Sequence, residues 1–305
     1  MIRRKSDRNV YGTRVFVTGA SSGIGQACAQ EYARHGCTVT GVSRHTEEYT
    51  ETFEGGGSLT MRRLDVTDEA TVRAFIEGLP GVDIAVLCAG MGVAGPAETT
   101  PQELTRRQME VNYFGTLNAA RPCLTRMRLQ RRGLLIVIGS IAGRVSIPMQ
   151  SQYSASKYAL EAFTDAVRME MRRYGVRAVI IEPGDTKTGF TAARVTQDLG
   201  GSADGATGGS SMDGSRCDGG SAAIEKSGPA EYSSTLYKSI AKMAADEQNG
   251  KSPESVARVA YALAGRKDPP ARVPVGADYK ALMVLLRVLP DRAREVILSK
   301  LYLPR

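Results

Sequence analysis

A serine, a tyrosine and a lysine stand at a spacing that suits proton transfer to or from an oxygen atom. Ser140 follows an apolar run, and Tyr153 and Lys157 come later, four positions apart. Side chains at positions i and i+4 of a helix share one face, so the ammonium can lie beside the phenol and lower its pKa from about 10. Tyr153 could then exchange a proton with a carbonyl or alcohol oxygen, to which Ser140 would donate a hydrogen bond.

Each of these residues also has an ordinary structural explanation. A Tyr-x-x-x-Lys pair is more often a pair of surface side chains whose apolar stems lie along the helix. Ser140 could satisfy a backbone group instead. A catalytic interpretation therefore depends on further motifs elsewhere in the chain.

A glycine-rich segment near the amino terminus suits a phosphate. The sequence TGASSGIG at 18–25 follows a short apolar run and opens a helical pattern. Glycines let backbone amides approach a phosphate, and a helix amino terminus adds unpaired N–H groups with a partial positive charge. The spacing differs from the general G-x-G-x-x-G fingerprint, and such a turn can merely join a strand to a helix. We predict that the turn binds a dinucleotide pyrophosphate through Gly19, Ser21, Ser22, Gly23, Ile24 and Gly25.

The end of the next predicted strand bears on the choice of dinucleotide. An NAD-binding protein usually offers Asp or Glu to the adenosine ribose there, whereas this chain has Ser43 and Arg44. A guanidinium can pair with a 2′-phosphate, which a carboxylate would repel. We therefore predict NADP (NADPH) as the cofactor and NAD as the less favoured one. Glu47 and Glu48 lie close by, and an exposed arginine needs no ligand, so the alternative stays open.

Short apolar segments alternate with longer helical patterns. Continuous apolar runs are typical of parallel strands covered on both faces, and we predict strands at 15–18, 38–43, 59–64, 84–88, 134–139, 176–181 and 272–275. Helices are predicted at 23–35, 68–78, 101–132 and 151–174. The sequence thus predicts an α/β, doubly wound Rossmann-type fold with a mostly parallel seven-stranded sheet, helices on both faces and a ligand crevice at the carboxyl ends of the strands.

Two regions lie outside this alternation. Eight glycines fall within 200–220 among small polar residues, so we predict a flexible Gly/Ser-rich insertion at about 195–231. A C-terminal helical extension is predicted at about 279–303, interrupted at Pro290 and followed by a final helix that begins at Asp291. Its apolar face could pack on the core, cover an apolar substrate or contact a membrane surface. We expect residues 1–305 to form one domain.

Composition narrows the classes of function. The net charge is +8, but the basic residues are scattered and there is no tryptophan, so we expect no nucleic-acid partner. The five cysteines form no C-x-x-C pair and the two histidines do not join them at zinc-ligand spacing, so we predict no metal site. The cysteine usage and the charged amino terminus favour a cytoplasmic location, and no apolar run is long enough for an integral membrane segment.

Taken together, the motifs resemble the short-chain dehydrogenase/reductase family over about 11–190, in the family's order. This resemblance implies an NAD(P)-dependent oxidoreductase acting on CH–OH and C=O groups. It also implies that Asn112 completes a catalytic tetrad with Ser140, Tyr153 and Lys157 by holding a water on a proton relay. Lys157 would bind the nicotinamide ribose as well. Taken singly, Asn112 could merely cap or link helices.

The same resemblance extends the set of cofactor-binding residues beyond the glycine turn. The implied residues run from the adenine to the nicotinamide carboxamide: Asp65 with Val66, Ala89 with Gly90, Tyr153 and Lys157, then Pro183, Gly184 and Thr186. Asp65 could instead be only a turn residue after its strand. Cys88 stands where the family usually has asparagine, and the Gly/Ser-rich insertion falls where the family places its mobile substrate loop. We expect a local adjustment at Cys88 and no loss of activity.

These observations predict hydride transfer between NADP(H) and a carbonyl or secondary alcohol. The mostly apolar stretch 141–149 beside the predicted site favours a small hydrophobic substrate such as a steroid or another ketone. A 3-oxoacyl thioester is the main alternative substrate, and a catalytically silent dinucleotide-binding sensor is the alternative from another class. The family resemblance further implies a homodimer or homotetramer built from the helices that contain Asn112 and Tyr153.

Overall fold

The computed structural model describes residues 9–190, 193–197, 229 and 231–303. Its strands are β1 (Arg14–Thr18), β2 (Thr38–Ser43), β3 (Tyr49–Thr52), β4 (Ser58–Arg63), β5 (Ile84–Leu87), β6 (Val93–Ala94), β7 (Gly133–Ile138), β8 (Val176–Pro183), β9 (Val195–Thr196) and β10 (Arg272–Val275). Eight of them form one sheet in the order β10-β8-β7-β5-β1-β2-β4-β3, while β6 and β9 pair separately.

The helices follow the strands in the alternation that the sequence predicts. They are α1 (Gly23–Arg34), α2 (Glu69–Gly78), α3 (Gln102–Met109), α4 (Gly115–Gln130), α5 (Ser151–Met171), α6 (Glu231–Gln248), α7 (Pro253–Ala264), α8 (Ala277–Val288) and α9 (Asp291–Tyr302). Asp68 is the N-cap residue of α2, and its carboxylate accepts a hydrogen bond from the Thr71 amide at 3.1 Å. This N-cap satisfies one of the amides that the first helical turn leaves unpaired.

The apolar strands are buried on both faces, which explains their continuous apolar pattern. One core cluster joins one face of the sheet to α1 and α7, and a second joins the other face to α2, α4 and α5. The neighbours of β1 run parallel to it, with Thr18 opposite both Val42 and Leu87. The carboxyl ends of these strands therefore meet at one edge of the sheet, as the predicted doubly wound fold requires.

The sheet has eight strands, so the predicted number of seven was wrong by one. The additional strand is β3, which pairs antiparallel with β4 at the edge of the sheet. All four of its residues are exposed and their sequence is YTET, so no buried face marks them as a strand. The other predicted strands and helices are confirmed, with small shifts at their ends.

The predicted helix 101–132 contains an irregular turn. A π-helical turn, Glu110–Phe114, joins α3 to α4, and Asn112 at its centre is fully buried. Such single π turns widen a helix locally and often occur at functional sites. The sequence does not mark this turn, because its residues continue the helical pattern.

The carboxyl-terminal region contains α8 and α9, and Pro290 lies between them, where the sequence analysis places the interruption within 279–303. The Tyr279 ring packs so closely on Gly184 that a Cβ atom there would lie 2.1 Å from it. The outer surface of α8 is apolar and exposed at Val284, Leu285 and Val288. Most of the predicted Gly/Ser-rich insertion lies outside the described residues, and the single domain stays a prediction.

Two further findings apply to the described part of the chain. None of its helices combines the length and the apolar character needed to cross a bilayer. No three of its His, Cys, Asp and Glu side chains lie close enough together to hold a metal ion.

Candidate active site

A cleft of about 540 Å³ opens at the carboxyl ends of the parallel strands. Every residue that the sequence analysis assigns to catalysis or to cofactor binding lines this cleft, except Asn112. Asn112 lies directly behind the lining, since its Oδ1 would be 3.3 Å from a Cβ atom at Gly90. The chain thus brings assigned residues from seven separate segments into one place.

The turn between β1 and α1 is shaped for close approach by a phosphate. Gly19 and Gly23 have φ angles of +67° and +54°, in the left-handed region that favours glycine. A Cβ atom at Gly25 would lie 2.1 Å from the Gly19 carbonyl oxygen. Ser22 caps α1 without a side-chain hydrogen bond, and no acidic residue lies in the first turn. The amides and the positive end of the helix dipole therefore fit a pyrophosphate group.

The end of β2 presents a cation to the cleft. Ser43 and Arg44 line the wall here, and the Ser43 and Ser21 hydroxyl oxygens are 2.8 Å apart. Glu48 is bound elsewhere, because Arg62 Nη1 donates to it at 2.8 Å and the Arg63 amide donates at 3.1 Å. These hydrogen bonds lower the pKa of Glu48 and keep it ionised. The Glu48 carboxylate is thus hydrogen-bonded to residues of β4, whereas Arg44 lines the cleft.

Two of the predicted cofactor-binding segments, at Asp65 and at Ala89 after β5, are held by local hydrogen bonds. The Asp65 carboxylate accepts hydrogen bonds from the Thr67 amide at 3.0 Å and from the Thr67 hydroxyl at 2.8 Å. This arrangement is the turn that the sequence analysis left open as an alternative, and Asp65 lines the cleft as well. At the end of β5, the Thr18 hydroxyl accepts the amides of Cys88 and Ala89 at 3.0 and 3.1 Å.

The Cys88 thiol stays neutral in this position. Burial raises its pKa to about 12, although Lys157 opposes the shift. The backbone of this strand end is held by Thr18, so its geometry does not depend on a side-chain amide at position 88.

Ser140, Tyr153 and Lys157 meet at the centre of the cleft. The Ser140 side chain caps the short turn Ile141–Gly143 by accepting the Ala142 amide at 3.1 Å, and its hydroxyl also hydrogen-bonds the Tyr153 phenol. Lys157 is buried, and its Nζ donates to the Ile138 carbonyl oxygen at 3.1 Å. The ammonium lies 5.6 Å from the centroid of the Tyr153 ring. The predicted helix face therefore does bring the phenol and the amine together.

The expected lowering of the phenol's pKa was wrong for this arrangement. Burial raises the pKa of Tyr153 to about 12, against a lowering by the Ser140 hydrogen bond and by the Arg194 charge. Burial also lowers the pKa of Lys157 to about 8, although Cys88 and Glu161 oppose it. Both shifts have one cause, because removal of water disfavours the charged form of each group. At neutral pH the phenol is protonated.

Asn112 hydrogen-bonds with Met91, which lies between β5 and β6, and with Ser156 of α5. Its Oδ1 accepts the Met91 amide at 2.8 Å, and its Nδ2 donates to the Met91 carbonyl at 3.1 Å and to the Ser156 hydroxyl at 3.0 Å. The side chain thus links the π turn to the helix that carries Tyr153 and Lys157. No direct Asn112–Lys157 hydrogen bond exists within the described part of the chain.

The far end of the cleft contains residues that the sequence analysis missed. Tyr153 and Tyr302 pack on a small apolar cluster of Ala142, Ile147 and Met243. Beside it lie Gln150, Phe190, Arg194 and Glu247. They come from five segments and form no motif. The sequence signals were the apolar stretch 141–149 and the predicted extension at 279–303, which contains Tyr302. This mixture of apolar surface and isolated polar groups is typical of a small-molecule site.

Comparison with known proteins identifies the family. A family model described as short chain dehydrogenase matches residues 13–199. The chain is 30% identical over 293 residues to a 3-ketodihydrosphingosine reductase of Bacteroides thetaiotaomicron, an alignment that covers 94% of this chain and 97% of that protein.

Solved structures show the same fold. A short chain dehydrogenase from Burkholderia cenocepacia in complex with NADP matches with a TM-score of 0.66 and 20% identity, over 96% of this chain and 99% of that one. A short chain dehydrogenase/reductase from Burkholderia phymatum in complex with NAD matches with a TM-score of 0.71 and 20% identity, over 92% and 94%. The chain belongs to the short-chain dehydrogenase/reductase family and is an NAD(P)-dependent oxidoreductase.

Proposed function

We propose that this protein interconverts a carbonyl and a secondary alcohol with NADP(H), on an apolar substrate such as a steroid or another hydrophobic ketone. The observation that carries the proposal is the position of Tyr153. Its ring packs on the apolar cluster, its phenol hydrogen-bonds with Ser140, and the Lys157 ammonium lies 5.6 Å from the ring centroid. A carbonyl held against that cluster would have its oxygen beside a protonated phenol.

Each side chain of the site has a separate role in the proposed reaction. A bound nicotinamide dinucleotide supplies or accepts the hydride. Tyr153 donates a proton to the carbonyl oxygen in reduction, for which a protonated phenol is the required form. Ser140 donates a hydrogen bond to the same oxygen and so stabilises its developing charge. Lys157 stabilises the phenolate that remains after the transfer, and Asn112 positions the helix that carries both groups.

For the cofactor we infer a preference for NADP over NAD. The glycine turn would hold the pyrophosphate with its amides, and Asp65, Val66, Ala89 and Gly90 would contact the adenine side and the strand edge. Arg44 lines the cleft at the end of β2 while Glu48 is bound by Arg62. A guanidinium in that place favours a 2′-phosphate over a ribose hydroxyl. Pro183, Gly184 and Thr186 would contact the nicotinamide end.

The nature of the substrate follows from the far end of the cleft. Ile147, Met243 and Tyr302 offer apolar surface close to the phenol. The Bacteroides thetaiotaomicron relative is named for reduction of 3-ketodihydrosphingosine, a hydrophobic ketone in keeping with such a surface. We propose a straight-chain hydrophobic ketone as the first substrate to test, with steroid ketones next.

We also propose a cytoplasmic location and a homo-oligomeric assembly. The described cysteines are all free thiols, in keeping with a reducing, cytoplasmic setting. Large apolar side chains stand exposed on α4 and α5, where Leu129 is 70% and Met169 is 74% accessible. We propose that these helices form the contact of a homodimer or homotetramer.

The test is a turnover assay on the purified protein. Absorbance of NADPH and of NADH is followed with long-chain, steroid and acyl-thioester carbonyls at equal concentration. We expect oxidation of NADPH with a hydrophobic ketone and a markedly slower reaction with NADH. Binding of NADPH without turnover on any carbonyl would contradict the proposal and favour a dinucleotide-binding sensor.

A further inference from the structure

An ion pair is buried at the substrate end of the cleft, beside the reactive phenol. Arg194 Nη2 donates to Glu247 Oε1 at 2.6 Å, with side-chain exposures of 3% and 14%. Phe190 connects the pair to the site, because its ring centroid is 5.6 Å from that of Tyr153 and 6.0 Å from the Arg194 guanidinium carbon. The reaction steps proposed above require no charged pair at this place.

Hydrogen-bond donors in this part of the cleft lack acceptors. Arg194 Nε and Nη1 are buried with no hydrogen-bond partner among the described residues, and the same is true of Gln150 Nε2. Both side chains line the cleft, Gln150 from the segment before α5 and Arg194 from the segment before β9. Buried donors without partners are costly, so two such side chains in one cavity indicate that a ligand supplies the acceptors.

The charge balance limits what that acceptor can be. Glu247 already neutralises the guanidinium at hydrogen-bond distance. An anionic substrate group beside Arg194 would also face the Glu247 carboxylate, and two like charges in a dry site repel strongly. A neutral oxygen, such as a hydroxyl or the carbonyl of a thioester, accepts from Nε and Nη1 without that repulsion.

We propose that Arg194 and Gln150 select substrates carrying a second, neutral oxygen function close to the reacting carbonyl. The inference rests on the proposed function and specifies its substrate class. The substrate is apolar at one end. Its hydroxyl or thioester group lies on the carbon next to the one that is reduced, or on the carbon after that. Arg194 Nε and Nη1 donate to that oxygen, and Gln150 Nε2 provides a further donor. The apolar remainder lies against Ile147, Met243 and Tyr302.

The experiment compares three substrates of equal chain length with NADPH: a β-hydroxy ketone, the matching β-oxoacyl thioester and the plain ketone. The decisive variant is Arg194→Met combined with Glu247→Met, because apolar replacement of a whole buried ion pair usually preserves stability. The matched control is Lys242→Met with Asp246→Met, a partly exposed ion pair of 3.0 Å on the same helix α6. The readout is the ratio of kcat/KM between each oxygenated substrate and the plain ketone.

We expect the native protein to prefer at least one oxygenated substrate by roughly tenfold to hundredfold, the range for hydrogen bonds from a charged donor. The double variant should lose that preference, and the control should keep it. The oxygenated substrate whose kcat/KM ratio falls most shows whether a hydroxyl or a thioester is recognised. Gln150→Leu should reduce the same ratio by roughly threefold to tenfold.

An unchanged ratio in the double variant, with NADPH turnover intact, would overturn the inference and leave the proposed function standing. If the double variant does not fold, Gln150→Leu decides, and a ratio equal to that of the native protein refutes the selection. If none of the three compounds oxidises NADPH while a steroid ketone does, the inference is refuted and the proposed function stands. Absence of NADPH oxidation with every carbonyl tested would refute both.

Discussion

The two ends of the cleft are built in different ways. The end for which we propose dinucleotide binding, called here the dinucleotide end, is made by strand ends and the turn at Gly19–Gly25, and its shape is a property of the backbone. The substrate end is made by side chains that come from remote segments, such as Ile147, Phe190 and Tyr302. A ligand common to many proteins can be bound by a backbone motif, whereas an individual substrate requires individual side chains. The helix α5 belongs to both ends, because it carries Tyr153 and Lys157 between them.

The largest expected effect lies where the two ends meet. Tyr153→Phe removes the proton donor while leaving the ring on the apolar cluster, so kcat should fall by roughly 10² to 10⁴-fold, the usual contribution of a general acid. The NADPH dissociation constant should stay close to that of the native protein. Tyr158→Phe on the same helix, 40% exposed, is the control and should turn over normally. Substantial activity in Tyr153→Phe would show that the proton reaches the substrate by another route.

A smaller effect is expected from the backbone of the dinucleotide end. In Gly25→Ala the new Cβ atom would meet the Gly19 carbonyl oxygen at 2.1 Å, and backbone atoms cannot move aside easily. Such overpacking costs about 1–3 kcal/mol, so NADPH affinity should fall by roughly tenfold to hundredfold. Fluorescence titration with NADPH measures the loss.

The control for this change is Gly78→Ala at the end of α2, where no atom lies within 4 Å of the added Cβ. That variant should bind NADPH as the native protein does. Equal binding by Gly25→Ala and Gly78→Ala would mean that the turn is not what holds the dinucleotide, and the contrast between the two ends would fail.

A side-chain effect at the same end should be smaller still and limited to one cofactor. Arg44→Ala removes the cation at the end of β2, so KM for NADPH should rise by about tenfold, as expected for one exposed charge-assisted contact. The KM for NADH should hardly change, and it serves as the internal control. Equal increases for both cofactors would show that Arg44 shapes the wall of the cleft without reading the 2′-phosphate.

The same contrast explains what could be predicted from sequence. The glycine turn, the buried strands and the Tyr153–Lys157 spacing depend on residues close together in the chain, and each was found where expected. The ion pair of Arg194 with Glu247 joins residues 53 positions apart and has no periodic pattern. The pKa of Tyr153 is shifted opposite to the expectation because burial dominates it. That burial depends on the packing of Phe190, Met243 and Tyr302, which no local motif encodes.

The anchoring of α5 gives the smallest predicted effect. Glu161 lies one turn beyond Lys157, and Arg272 Nε of β10 donates to it at 2.8 Å. Burial and the neighbouring Glu182 raise the pKa of Glu161 to about 7, although Arg272 opposes the shift. Lys157, Asp165 and Arg144 complete the charged surroundings of this cluster.

The sign of the pH dependence follows from proton binding. The native state keeps the Glu161 proton up to about pH 7, whereas the unfolded chain releases it near 4.5, so the native state binds more protons between these values. The free energy of unfolding should therefore fall as pH rises through this window. Glu161→Gln cannot titrate and should show a flatter profile in urea unfolding, while the exposed Glu170→Gln should keep the native slope. Identical slopes in all three proteins would mean that Glu161 is ionised throughout, and that α5 is held to β10 by an ordinary ion pair with Arg272.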